Sequence, residues 1–187
     1  MSNALPILNP GDHLLYGRRK WFDPIIERKT WSDVVHSEIL ISPHFTATAK
    51  PARGVSIYPL EYDGLLYVLR PNKPFDLQAG IQWFNTVQGQ KYDLKGLLVF
   101  SLAVKQGAKD RQFCSEVCTR FGRMAGFEAF HENYDADRVA PAQFKQSPAF
   151  DWVWMHDKAN KDGYYKFDGV KYVPVINTTP STFSAVV

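Results

Sequence analysis

Residues 113–122, Phe113-Cys114-Ser115-Glu116-Val117-Cys118-Thr119-Arg120-Phe121-Gly122, read FCSEVCTRFG and hold both cysteines of the chain. Phe113, Val117, Phe121 and Met124 recur at the period of one helix face, which predicts an amphipathic helix over 113–125. Gly126 supplies its stop and Asp110, just ahead of it, a cap. Cys114 and Cys118 then neighbour each other on that helix. Three roles compete for them. Both fit as small buried hydrophobes. As a metal pair they need two further ligands, and His36, His44 and His131 offer no second closely spaced pair. As a nucleophile, Cys114 is favoured over Cys118. It falls in the first turn, where unpaired backbone N–H groups and the positive helix end favour a thiolate. A disulfide within one helical turn is geometrically poor.

A thiolate of this kind needs a base, usually an imidazole held by a third polar group. His36 is the best placed. It stands inside VVHSEILI (Val34 to Ile41), an apolar, β-branched run closed by Ser42-Pro43 that reads as a strand. A buried imidazole there has a cost unless it is partnered. The simpler reading, a core histidine bonded to a neighbour, stays open. Glu38, two residues on, shares the sheet face of His36 and is within reach of it.

Outward from this pair, GDHLLYG (Gly11 to Gly17), FTATA (Phe45 to Ala49), GVSIYP (Gly54 to Pro59) and LLYVLR (Leu65 to Arg70) read as further strands. Asp76 to Gln88 turns helical, with Leu77, Ile81, Trp83 and Phe84 on one broad face and Gly89 as its stop. Leu97 to Val104 is an apolar block that suits a strand or a short buried helix. PAQFKQSPAF (Pro141 to Phe150) surrounds a short helix with turn residues. Tyr164 to Val173 reads as a hairpin with Asp168-Gly169 as a two-residue turn, and a loose Thr/Ser/Pro-rich tail follows. The order predicts an α+β fold, helices packed on an antiparallel sheet. Residues 1–150 form its catalytic part and 151–187 a C-terminal extension.

The 187 residues suffice for a core without staples, and two cysteines make no disulfide framework. A net charge of +3 with scattered basic residues argues against nucleic acid as a partner. No secretion signal, transit peptide or membrane-spanning run is visible, so a reducing, cytoplasmic setting is expected, with a virion-borne or lysis-delivered location as the other option. Aromatic content of 14% suits core packing or a groove for an apolar ligand.

Taken together, GDHLLYG, VVHSEILI, GVSIYPL, GQKYDLKGLL, FCSEVCTRFGRMAGF and APAQFKQSPAF resemble, in order, the blocks of the circularly permuted papain-like thiol hydrolases. These are the YiiX-like group of the NlpC-like superfamily, with the lecithin–retinol acyltransferases as relatives. The resemblance spans residues 11 to 150. It implies a permuted papain-like fold in which the His strand precedes the Cys helix and the nucleophile stands at a helix N-terminus. It also implies a cysteine-dependent hydrolase or acyltransferase that cleaves an amide or ester of a peptide, cell-wall peptide or lipid through a thioester, with no cofactor or metal. The nucleophile falls on Cys114, the base on His36 and the third polar residue on Thr48, with Thr46 an equal geometric candidate. Family members often carry a carboxylate in that third role, and threonine departs from this. A carboxylate at Glu116 is usual in the family. Its chemistry at this position is helix-end charge complementarity or pairing with a basic group. Tyr16, Glu38 and Tyr92 are the residues expected to line the substrate cleft, Tyr92 and Asp93 by fixing the loop toward the site. Two other classes stay open. One is an inactive binding module on the same scaffold. The other is an interaction protein, or homo-oligomer, using the extension with Trp152 and Trp154.

Overall fold

The structure, a computed structural model, describes residues 6–17, 33–51, 53–93, 111–156, 164–167 and 172–175. The apolar block 97–104 and the expected cap Asp110 lie outside these residues.

Among the described residues, five strands follow one another before the first helix. They are β1 (His13–Tyr16), β2 (His36–Ser42), β3 (Phe45–Lys50), β4 (Gly54–Pro59) and β5 (Leu65–Pro71). With β8 (Phe150–Met155) they form a six-stranded sheet in the order β4-β3-β2-β1-β5-β8. Every neighbouring pair is antiparallel. The fold is α+β, as the order of strands followed by helical patterns predicts.

Strand alternation gives the sheet two different faces. Leu15, Ile39, Ala47, Ala49 and Val55 belong to the main core, together with Val117, Cys118 and Phe121. The last three come from helix α2 (Cys114–Met124). Leu14, Tyr16, Leu40, Val68 and Trp154 form a smaller cluster. Helix α1 (Leu77–Val87) is capped by Asp76, whose side chain accepts from the Gln78 and Ala79 backbone N–H groups at 3.0 and 3.1 Å. It packs against α2 through Gly80, where an added methyl would overlap the Phe121 ring.

After α1 the chain is hooked onto the edge of β4. Val55 N–H donates to Gln90 O at 2.8 Å, and Gly89 N–H donates to Val55 O at 2.8 Å. Gly54 faces Gln90 closely and has φ +72°, so both its backbone angle and its surroundings demand glycine. Short β6 (Lys91–Tyr92) then pairs in parallel with β7 (Arg111–Gln112), which delivers the chain to Cys114.

Several sequence expectations are corrected. Met124, assigned to the buried stripe of α2, is 52% exposed, and Cys118 fills the core in its place. The extension does not begin at residue 151, because β8 runs on to Met155 as an edge strand of the sheet. Trp154 is buried there, and Trp152, partly buried, packs edge-on against Tyr67. Strands β9 (Tyr164–Phe167) and β10 (Tyr172–Val175) do form the expected hairpin. Their register pairs Phe167 with Tyr172, and the expected Asp168-Gly169 turn lies outside the described residues. Among the described residues no helix is long and apolar enough to cross a membrane.

Candidate active site

Cys114 is the first residue of α2. The N-cap, Phe113, is extended and makes no side-chain cap bond, so the first N–H groups of the helix stay unused by a capping side chain. Glu116 serves instead. Its carboxylate accepts from the Phe113 N–H, the return half of a capping box, and pairs with Arg120 at 2.9 Å. This is the helix-end role expected of it. Burial, reinforced by the charge of Asp137, outweighs Arg120 and the N–H bond and pushes Glu116 up to about 7.

His36 is the first residue of β2, opposite Tyr16 in the β1–β2 register. Its Nε2 lies 3.0 Å from Oε1 of Glu38. Glu38 is buried, and three groups hold it. Oε1 also meets Lys50 Nζ at 2.9 Å, and Oε2 accepts from Thr46 Oγ1 at 2.6 Å. Burial opposes its charge, yet His36, Lys50 and Thr46 together hold it down to about 2. An ionised carboxylate only accepts, so the neutral imidazole carries its proton on Nε2. That leaves the lone pair on Nδ1, the ring nitrogen able to act as a base.

His36 and Cys114 lie close enough for each to act on the other's ionisation. Burial disfavours both ions, but the pairing wins. His36 is raised to about 9, by Cys114 first and Glu38 second, and Cys114 is held below the ordinary thiol range. The backbone N–H of Ser37 donates to the Cys114 sulfur and lowers it further. The Ser37 hydroxyl lies beside both sulfurs. Cys118, buried in the core without a charged base, is pushed well above the usual thiol value. The two thiols therefore differ in direction, Cys114 through His36 and Ser37 and Cys118 through burial. Among the described residues no three His, Cys, Asp or Glu side chains gather as a metal site.

The remaining expected site residues are distributed unevenly. Thr48 does not hold the imidazole. The β2–β3 pairing ends at Ile39 and Ala47, and the Thr48 hydroxyl donates its one proton to the Ser37 carbonyl at 2.7 Å. Glu38, expected among the substrate contacts, is the group on His36 instead, and Thr46 supports it. Tyr16 is fully buried, its ring centroid 6.0 Å from that of His36 and its hydroxyl donating to Glu61 O at 3.1 Å. It backs the imidazole and offers no surface to a substrate. Tyr92 is likewise buried and pairs with Gln112, two residues before Cys114. Lys50 is the site residue that sequence reasoning missed. Its position at the end of β3, next to a carboxylate on β2, follows only from strand register.

Cys114 is 2% exposed, while the His36 side chain keeps 18% of its surface. Two larger clefts, of about 520 and 550 Å³, include neither Cys114 nor His36 in their walls. No protein-family model matches the chain, and no curated protein matches it.

Proposed function

We propose that this chain is a cysteine-dependent hydrolase or acyltransferase acting on an amide or ester, built on a circularly permuted papain-like fold. The observation that carries the reading is the row Cys114–His36–Glu38, with the sulfur on the first residue of a helix and the imidazole charge-coupled to it. The order of the parts, His strand before Cys helix on an antiparallel sheet, supports the permuted arrangement.

In this mechanism Nδ1 of His36 takes the proton from Cys114, and Glu38 keeps the ring oriented and its charge stabilised. The thiolate attacks the carbonyl carbon, and the C–O double bond opens to an oxyanion. Backbone N–H groups at the start of α2 are the donors available to that oxygen, an effect worth a few kcal/mol, about 3. Collapse breaks the bond to the leaving group, which takes the proton from Nδ1. A water or other nucleophile, deprotonated by His36, then attacks the thioester, releases the acyl group and returns the proton to sulfur. The inactive-module reading drew on threonine as a weak third residue, and Glu38 supplies the charge that threonine lacks.

The test is acylation by p-nitrophenyl acetate, followed by peptide mapping. The wild type should carry the acyl adduct on Cys114. Cys114→Ala should carry none, and His36→Ala should acylate about a hundredfold more slowly or worse. Equal acylation of wild type and Cys114→Ala, or an adduct confined to other residues, removes the proposal.

A further inference from the structure

Glu38 meets two cationic groups on a single oxygen. Oε1 lies 3.0 Å from His36 Nε2 and 2.9 Å from Lys50 Nζ. Lys50 is held there by more than the carboxylate. Its ammonium lies over the Tyr58 ring, 4.5 Å from the centroid, and the Tyr58 hydroxyl is pinned to Gly54 O at 2.8 Å. Lys50 pairs with Gly54 at the end of the β3–β4 ladder, so the cation is delivered by register.

We infer that Lys50 is a positioning residue of this site, the counter-cation that lets Cys114 ionise next to a buried carboxylate. The inference rests on the proposed thiol chemistry. When the proton moves from sulfur to imidazole, the row becomes Cys114⁻, His36⁺, Glu38⁻ and Lys50⁺. It is neutral before and after the transfer. Without Lys50 the same row carries one uncompensated negative charge in a buried place, which is costly. The least costly relief is for the sulfur to hold a proton while the imidazole stays protonated, which brings Cys114, His36⁺ and Glu38⁻ to zero net charge and leaves Glu38 its imidazolium and Thr46. Among the described residues, the other ionisable groups near His36 and Glu38 do not replace the ammonium. Cys118 on α2, Tyr16 on β1 and Tyr58 on β4 can each add only negative charge.

The experiment is the pH dependence of Cys114 alkylation by iodoacetamide, followed in parallel by thiolate absorbance in the ultraviolet. Wild type, Lys50→Arg, Lys50→Met and the double variant Glu38→Gln/Lys50→Met are compared. The acid limb of Lys50→Met should move up by about one pH unit, which makes alkylation on that limb about tenfold slower. Lys50→Arg should keep the wild-type limb. In the double variant both charges are gone, and the limb should return toward wild type. A purely structural role for Lys50 predicts no such return. Should Lys50→Met fail to fold, the double variant against wild type decides alone: a limb left near the ordinary thiol value, about 8.5, overturns the inference. A folded Lys50→Met with the wild-type limb also overturns it, and the proposed function stands. A wild-type thiol that itself titrates near that ordinary value removes both together.

Discussion

The Thr48 hydroxyl donates to the Ser37 carbonyl at 2.7 Å, one residue along the strand from the imidazole that a threonine on β3 was expected to orient. The bond replaces a ladder contact where β2 and β3 part, so its role is to hold the strand and not to tune the base. Thr48→Val should cost about 1–2 kcal/mol of stability, the price of one buried carbonyl left unmatched. Its Cys114 alkylation profile should follow the wild type. Thr46→Val should behave differently, because it strips the donor from Oε2 of Glu38 and weakens the carboxylate itself. Calorimetry and iodoacetamide kinetics on the two variants separate the roles; equal effects on the profile refute the distinction.

The His36–Glu38 pair predicts a stability window in pH. Glu38 is lowered from 4.5 to about 2, so its contribution is full above 4.5 and is lost as pH falls toward 2. His36 is raised from 6.5 to about 9, so its contribution is full below 6.5 and is lost as pH rises toward 9. The melting temperature of Glu38→Gln should therefore fall furthest below wild type between pH 4.5 and 6.5, with the gap narrowing on both sides. A gap that is flat in pH contradicts the pairing.

Glu116 carries the opposite sign. Its folded value, about 7 against 4.5, means the folded chain holds this proton more tightly, so stability drains away as pH climbs through that interval. Glu116→Gln keeps an oxygen for the Phe113 N–H and removes the buried charge. At pH 8 it should be more stable than wild type by up to about 3 kcal/mol, and at pH 4 the two should agree closely. Chemical denaturation at both pH values checks this. A variant less stable at pH 8 would show that the Arg120 pair outweighs desolvation.

His13 is buried, and neither ring nitrogen has a hydrogen-bond partner among the described residues. Its ring packs on Phe144 and Phe150, with centroids 5.0 and 4.8 Å away. Burial lowers it to about 3, so the folded chain resists the proton that an unfolded chain accepts near 6.5. Stability falls as pH drops through that range, by up to about 4–5 kcal/mol. His13→Leu should unfold at a lower pH than wild type in an acid titration followed by circular dichroism. An unchanged acid midpoint would mean that another group sets it.

Much of this was legible in the residues because the physics was local. The β-branched apolar run of VVHSEILI and the alternation in FTATA marked strands, and the apolar period around FCSEVC marked the helix. The first-turn position of Cys114 distinguished it from Cys118 through backbone dipoles alone. The orienting group was misassigned because the resemblance pointed to the next strand, whereas the two-residue spacing of His36 and Glu38 already put them on one face. Lys50 was invisible, since strand register decides which end of β3 approaches Glu38. FDWVWM was placed in the extension because its partner, β5, lies far back in sequence, and burial of Trp154 depends on that pairing. Met124 continued an apolar period past the point where the core ends.

The two halves of the reactive couple sit on β2 and α2, near the beginning and the end of the described sheet-and-helix body. A ribosome releases the imidazole long before the sulfur, and neither is unusual until the helix docks. A half-made or unravelled copy thus carries two ordinary mercaptans, whereas a finished one carries a single acidic sulfur. Its appearance can serve as a chemical sign that β2 and α2 have come together, read without any fluorophore.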